Sequence, residues 1–208
     1  MKNIILYGAP AAGKGTQCEI LVEKLKYNHI STGELFRSLD DSTELGKKIH
    51  NIINQGHLVD DELAALLVKN KLEELKGPIV LDGFPRTLNQ AKILDTFFDN
   101  YVVINLEVSE EIALKRTLGR VNCPKCGRIY NIYTDMKPKE NNLCDDCKVE
   151  LSSRTDDNEE SFKVRFNTYL ENVSSVLDYY KEKGNLYIIK SYEDKEKIIA
   201  DIKNILGV

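Results

Sequence analysis

Gly8-Ala9-Pro10-Ala11-Ala12-Gly13-Lys14-Gly15-Thr16 decides how the rest of this 208-residue chain is read. The apolar run at 4–7 precedes it and reads as a buried strand. Behind it, Ile20, Leu21 and Leu25 share one helical face. Strand, glycine-bounded loop, Lys, Thr and helix, in that order, is the setting in which a P-loop cradles phosphate. Backbone N–H groups of the loop and helix N-terminus point at polyphosphate oxygens, and the helix dipole favours their charge. Lys14 adds a point charge toward the β- and γ-phosphates, and the Thr16 hydroxyl is placed to meet Mg2+. A ligand-free glycine turn is the alternative, and the flanking strand and helix weigh against it.

Outward from this loop, short apolar runs alternate with helical patterns. Strands are expected at 4–7, 29–31, 79–81, 102–106 and 186–189. Helices are expected near 15–26, 34–39, 43–54, 61–75, 88–98, 109–118, 157–183 and 193–206. Strands without clean alternation imply burial on both faces, hence an α/β fold with a five-stranded parallel sheet flanked by helices. Right-handed crossovers then place ligands beyond the carboxyl ends of the strands. Two segments interrupt the pattern. Residues 31–60 form a helical insert, and residues 119–157 read as irregular, which calls for a staple or a function. The remaining stretches, 1–30, 61–118 and 158–208, make up the core.

At 42% hydrophobic and 30% charged, the composition is that of an ordinary soluble domain. A net charge of -4 argues against a nucleic-acid partner held by the overall field. No cleavable leader and no membrane-length apolar run is seen, so the expectation is a cytoplasmic protein. Four of five cysteines cluster, which is not the usage of a disulfide-stapled secreted domain. Cys123-Pro124-Lys125-Cys126 and Cys144-Asp145-Asp146-Cys147 have the spacing of a four-cysteine zinc site. Such a closed site leaves no position for water and is structural. The ligands alone leave zinc and iron both open. Cys18 reads as a packed thiol.

The run Ile79-Val80-Leu81-Asp82 ends in a carboxylate placed to hold Mg2+, usually through water. Asp156 and Asp157 open a long helix. They read either as acids at a helix N-terminus or as carboxylates of a hinge near the nucleotide. Of 29 basic residues only seven are arginine, so lysine is the default surface cation. Positions that keep arginine need its planar fork, which grips phosphate bidentately. Arg37 and Arg86 follow special turns, Arg116 and Arg120 flank the start of the irregular segment, Arg154 closes it, and Arg165 lies three turns further along. Arg128 reads as exposed. No nucleophile stands out, and His29, His50 and His57 are scattered without evident partners. A phosphate acceptor, already ionised at neutral pH, needs no general base. Positioning and charge stabilisation then suffice.

With these motifs in order, the whole chain resembles adenylate kinase of the long type, whose lid carries zinc. Gly8 to Thr16 is similar to that family's donor loop, and Ser31-Thr32-Gly33-Glu34 through Arg37 to its AMP-side motif. Leu81-Asp82-Gly83-Phe84-Pro85-Arg86-Thr87 with Gln90 is similar to its signature segment. Gly119-Arg120, the four cysteines, Ile129-Tyr130 and Arg154-Thr155-Asp156-Asp157 are similar to its lid. The resemblance implies a P-loop NTPase-type fold in which 31–60 binds AMP and 119–157 is the lid. It implies ATP phosphates on Ala11, Ala12, Gly13, Lys14, Gly15 and Thr16. Arg116, Arg120, Ile129 and Tyr130 also meet ATP, and a carbonyl near Glu193 touches the donor adenine. AMP is expected among Thr32, Arg37, Leu58, Val59, Asp60, Gly83, Phe84, Pro85, Arg86 and Gln90, with Gln90 reading the adenine edge. Arg154 and Arg165 bridge the transferring phosphates. Lys14, Arg86, Arg116, Arg120, Arg154, Arg165, Asp156 and Asp157 form the catalytic group. Thr16 and Asp82 serve Mg2+, and Cys123, Cys126, Cys144 and Cys147 serve structural Zn2+. The implied reaction is ATP plus AMP giving two ADP, by a monomer.

Two positions depart from the family pattern. Ala11 stands where glycine is common, and strains the loop if that position needs a positive φ. Val121 stands where a second arginine is common. Three rival readings remain: a kinase for another nucleoside monophosphate, a P-loop GTPase, and a zinc-ribbon nucleic-acid binder. Thr32 and Gln90 favour adenine, an Asn-Lys-x-Asp guanine reader is missing, and the mixed charge of the 119–157 segment speaks against nucleic acid.

Overall fold

The computed structural model describes residues 1–191 and 195–208. Its centre is a parallel sheet of five strands: β1 (Asn3–Gly8), β2 (Asn28–Ser31), β3 (Ile79–Asp82), β4 (Tyr101–Glu107) and β7 (Leu186–Lys190). The order across it is β2-β3-β1-β4-β7. Every strand expected from the sequence is present in it. β1 shows why alternation was lacking: Ile5 and Tyr7 face one helical layer, while Ile4 and Leu6 face the other.

The first layer contains α2 (Thr32–Arg37), α3 (Glu44–Asn54), α4 (Asp61–Glu73), α5 (Leu88–Leu94) and α7 (Glu159–Glu182). The second contains α1 (Lys14–Leu25) and α8 (Lys195–Leu206), which bury Cys18, Leu21, Ile198 and Ile202. A last helix, α6 (Glu110–Leu118), follows β4 and packs Ala113 with Phe162 and Phe166 of α7. Burial of such faces, at about 25 cal/mol per Å2 of apolar surface, is what drives the layers together.

Short polar side chains set the helix starts. Ser31, Thr43, Thr87 and Ser109 each accept a hydrogen bond from the N–H three residues on. Asn158 does the same for α7, accepting from Ser161 N. Asp156 and Asp157 therefore lie ahead of the cap, and the reading of them as helix-start acids is replaced by their ion pairs described below. Two other boundaries move: α2 begins at Thr32, earlier than expected, and α5 stops at Leu94.

The 119–157 segment is ordered, contrary to the irregular reading. β5 (Arg120–Asn122) and β6 (Ile129–Asn131) pair antiparallel, with Asn122 bridging to Ser152 and Leu143 to Glu150. Three-residue strands are too short to leave a period of two in the sequence. Cys123, Tyr130, Cys144 and Leu151 form its small buried cluster, against which Val121 packs. Val121 thus adds to this apolar cluster.

Candidate active site

The site lies beyond the carboxyl ends of β1, β2 and β3, where the turns of the first βα units converge. The loop between β1 and α1 needs unusual backbone angles. Gly8 has φ 139°, and a Cβ there would lie 2.5 Å from the Leu106 carbonyl oxygen. Ala11 has φ 55°, the left-handed region that L-residues other than glycine avoid. The strain anticipated for that position is therefore present. Lys14 begins α1, and its Nζ donates to the carbonyls of Gly8 and Ala9, both at 2.8 Å. Burial, against the opposing pull of Asp82, drops the Lys14 pKa to about 8.

A cavity of about 1030 Å3 opens in front of this loop. All seven arginines of the chain line it, including Arg128, whereas of the lysines only Lys14 and Lys195 do. Several guanidiniums already have partners. Arg120 forms a two-pronged ion pair with Asp157. Arg165 donates to the Asp156 carboxylate at 2.9 Å and to the Asp156 carbonyl at 2.7 Å. Arg116 donates to Ser191 Oγ and to its carbonyl. Arg86 Nε donates to the Gly83 carbonyl at 2.8 Å. Arg37 and Arg154 form no ion pair among the described residues. Burial lowers the pKa of Arg37 and Arg86 below the usual guanidinium value. For Arg154, burial followed by repulsion from Arg120 and Arg37 brings it to about 10. Such a concentration of incompletely balanced positive charge is a site built for anions.

Asp82 ends β3 at the floor of the cavity. Burial pushes its carboxyl upward, but His29, Lys14 and Arg86 together hold it below the ordinary carboxylate value. Thr16 Oγ1 also lines the cavity, 3.7 Å from Met136 Sδ of the cysteine-bearing segment. Thr32 donates to the Gly83 carbonyl at 2.9 Å, tying the start of α2 to the end of β3.

Most of the expected site residues converge here. Ala11, Ala12, Gly13, Gly15, Leu58, Val59, Gly83, Phe84, Gln90 and Ile129 line the cavity beside the residues already named. Four fall elsewhere. Asp60 is the N-cap of α4, accepting from Glu62 N and Leu63 N. Pro85 lines a separate small cavity of about 60 Å3. Tyr130 is buried in the small cluster, its hydroxyl accepting from Asp145 N and lying 3.5 Å from Cys144 Sγ. Asp157 sits behind Arg120 and Arg165. Glu193 lies outside the described residues.

Sequence reading missed Asp61. Its carboxylate accepts from Gln90 Nε2 at 2.8 Å, from Thr87 Oγ1 at 3.0 Å and from Asn89 Nδ2 at 3.1 Å. Gln90 Oε1 in turn accepts from Arg86 N at 2.7 Å. A carboxylate only accepts and a backbone N–H only donates, so the orientation of the Gln90 amide is fixed from both sides. The pair Asp60-Asp61 reads as two acids at a helix start, which hides this second role.

The four clustered cysteines are all free thiols, and their sulfur atoms lie within 4.8 Å of one another. Cys126 N approaches Cys123 Sγ and Cys147 N approaches Cys144 Sγ, each at 3.5 Å. Two such turns facing each other suit one tetrahedral ion. The group can therefore hold a metal, and its S4 set fits zinc. No described helix is long and apolar enough to cross a membrane.

A phosphate loop at the end of a central parallel strand, facing a cavity walled by guanidiniums, defines a P-loop phosphotransferase. The family model described as adenylate kinase matches residues 6–185. The adenylate kinase of Thermotoga petrophila is 43% identical over 216 residues, covering 100% of this chain and 98% of the relative. That of Thermotoga maritima is 42% identical, with the same coverage. That of Borrelia turicatae is 42% identical, covering 99% of both chains. The chain belongs to the adenylate kinase family, whose members are phosphotransferases acting on nucleoside monophosphates.

Proposed function

We propose that this enzyme transfers the γ-phosphoryl group of ATP to AMP, reversibly, giving two ADP by direct in-line displacement. The observation that carries the reading is the gathering of all seven arginines around the cavity that holds the P-loop. A single nucleotide on the loop does not account for Arg37 and Arg86, which stand on the side of α2 and the β3 end. Two phosphate-bearing ligands facing each other do.

In this reading, residues 11–16 with Arg116 and Arg120 bind the donor polyphosphate. Thr32, Arg37, Arg86 and Gln90 bind the acceptor, with Leu58 and Val59 against it. Arg154 and Arg165 lie between the two and stabilise charge as it moves. Asp156 and Asp157 pair with Arg165 and Arg120 and fix their orientation. Lys14 exchanges its two carbonyl partners for phosphate oxygens. The AMP phosphate is already ionised, so no residue removes a proton from it. The segments 31–60 and 119–157 act as AMP-binding subdomain and lid, and their closure excludes water that would otherwise compete as acceptor.

Thr16 and Asp82 suit Mg2+, a hard cation that prefers oxygen ligands and retains water. Held there, it would neutralise charge on the donor phosphates. Zinc on Cys123, Cys126, Cys144 and Cys147 suits a cross-link for a segment with only a small apolar cluster. The test is ADP formation from ATP with and without AMP, compared with CMP, UMP and GMP as acceptors. AMP-dependent turnover exceeding that with the other three is expected. Failure of AMP to raise turnover overturns the proposal.

A further inference from the structure

Behind the P-loop, three side chains from three elements meet: Cys18 of α1, His29 of β2 and Asp82 of β3. Their ligating atoms lie within 4.8 Å of one another. His29 and Asp82 line the cavity, while Cys18 is fully buried behind them. His29 Nε2 is buried and has no hydrogen-bond partner. Its nearest charged neighbour is Asp82 Oδ2 at 3.7 Å, too long for a hydrogen bond. It is, however, the separation of two donors on one ion. Zinc bonds of the usual length, in tetrahedral array, set nitrogen, oxygen and sulfur donors about 3.5 Å apart.

We infer that Cys18, His29 and Asp82 form a second zinc site, distinct from the four cysteines, through which zinc inhibits the enzyme. One sulfur, one imidazole and one carboxylate are all ordinary zinc ligands, and the thiol disfavours Mg2+ and Ca2+. Three protein ligands leave a fourth position on the cavity side, open to water or a phosphate oxygen. On binding, the Cys18 S–H bond breaks, its proton passes to solvent, and the thiolate bonds the metal without any change of oxidation state. Glu19 and Glu34 add favourable negative charge near Cys18, and Lys14 and Arg86 near Asp82 oppose it. This balance makes the site weaker than the four-thiolate one, so it fills second. Zinc there withdraws Asp82 from its proposed service to Mg2+. The inhibitory half of the inference rests on the phosphotransfer reading; the binding half does not.

The test uses protein whose four-cysteine site has been loaded with zinc. Added zinc should bind a second equivalent by calorimetry, and added Co2+ should give a thiolate-to-cobalt charge-transfer band. Cys18→Ala should lose both while keeping the first equivalent and turnover with Mg·ATP. His29→Gln, which spares the thiol, should weaken zinc inhibition about tenfold or more. Absence of a second equivalent, or a cobalt band retained in Cys18→Ala, overturns the site. Zinc bound at these residues with undiminished turnover overturns the inhibition. A protein without AMP-dependent turnover fails the phosphotransfer reading instead, and the binding and spectral measurements still stand.

Discussion

Ala11 and Lys14 are two residues of one loop whose surroundings work against them. Ala11 holds φ 55°, where its Cβ crowds the backbone. Ala11→Gly should stabilise the protein by about 1 kcal/mol. In a chain of this size that raises Tm by about 2–4 °C. Calorimetry giving an unchanged or lower Tm counts against strain at this position. Lys14 has a pKa brought to about 8 by burial, below that of a solvated lysine. Bound polyphosphate favours the ammonium and raises that pKa, so binding takes up a proton once the free lysine has begun to lose it. ATP affinity should be level below about pH 8 and fall as pH rises through it. Titration calorimetry in buffers of different ionisation enthalpy should show proton uptake near pH 8.5, an upper-flank value about half a unit above that midpoint. Affinity flat across that range would show that Lys14 is not the phosphate contact. The sequence announces both residues through motif spacing. It is silent about Cys18 and His29, because their meeting with Asp82 depends on β2 lying beside β3.

At the scale of elements, the helices were legible from apolar periodicity, while the starts of α2 and α7, set by Ser31 and Asn158, were displaced from those expected. The β5–β6 pair was not legible, since neither strand is long enough to show a repeat. The junction of α4 with α5 was hidden too. Asp61 opens α4, and Thr87, Asn89 and Gln90, at or next to the start of α5, all donate to it. The fixed Gln90 amide leaves one oxygen lone pair and one N–H for a base. That pattern matches the N6–H donor and N1 acceptor of adenine, whereas guanine presents the reverse. Asp61→Asn removes one side of the constraint. The ratio of kcat/KM for AMP to that for GMP should fall about tenfold, equivalent to about 1.4 kcal/mol. The KM for ATP should stay unchanged. An unaltered AMP to GMP ratio would show that the amide is held by Arg86 N alone.

At the scale of the molecule, the segments 31–60 and 119–157 are joined by a hydrogen bond. Asn54, the last residue of α3, accepts from Thr155 Oγ1 at 3.0 Å through its side chain and from Ser161 Oγ at 2.9 Å through its carbonyl. Next to it, a Cβ on Gly56 would lie 2.8 Å from the Ser161 carbonyl, so the chain passes α7 closely. Asn54→Ala removes the Thr155 link and leaves the backbone bond. Amide exchange in α2 and α3 should quicken, and the KM for AMP should rise more than the KM for ATP. Exchange unchanged in both helices would mean that the side-chain link carries no load.

The separation of the two basic residue types has a practical side. Lysine is spread mostly over the exterior, whereas every arginine borders one cavity, Arg128 being itself exposed and paired with Asp146. An arginine-selective dicarbonyl reagent therefore has targets only along that cavity, and adducts on the six arginines other than the exposed Arg128 report on its occupancy. An amine-directed label has most of its targets outside it. Fluorophores and surface tethers can be attached through lysine, while nucleotide protection is read through arginine on the same sample.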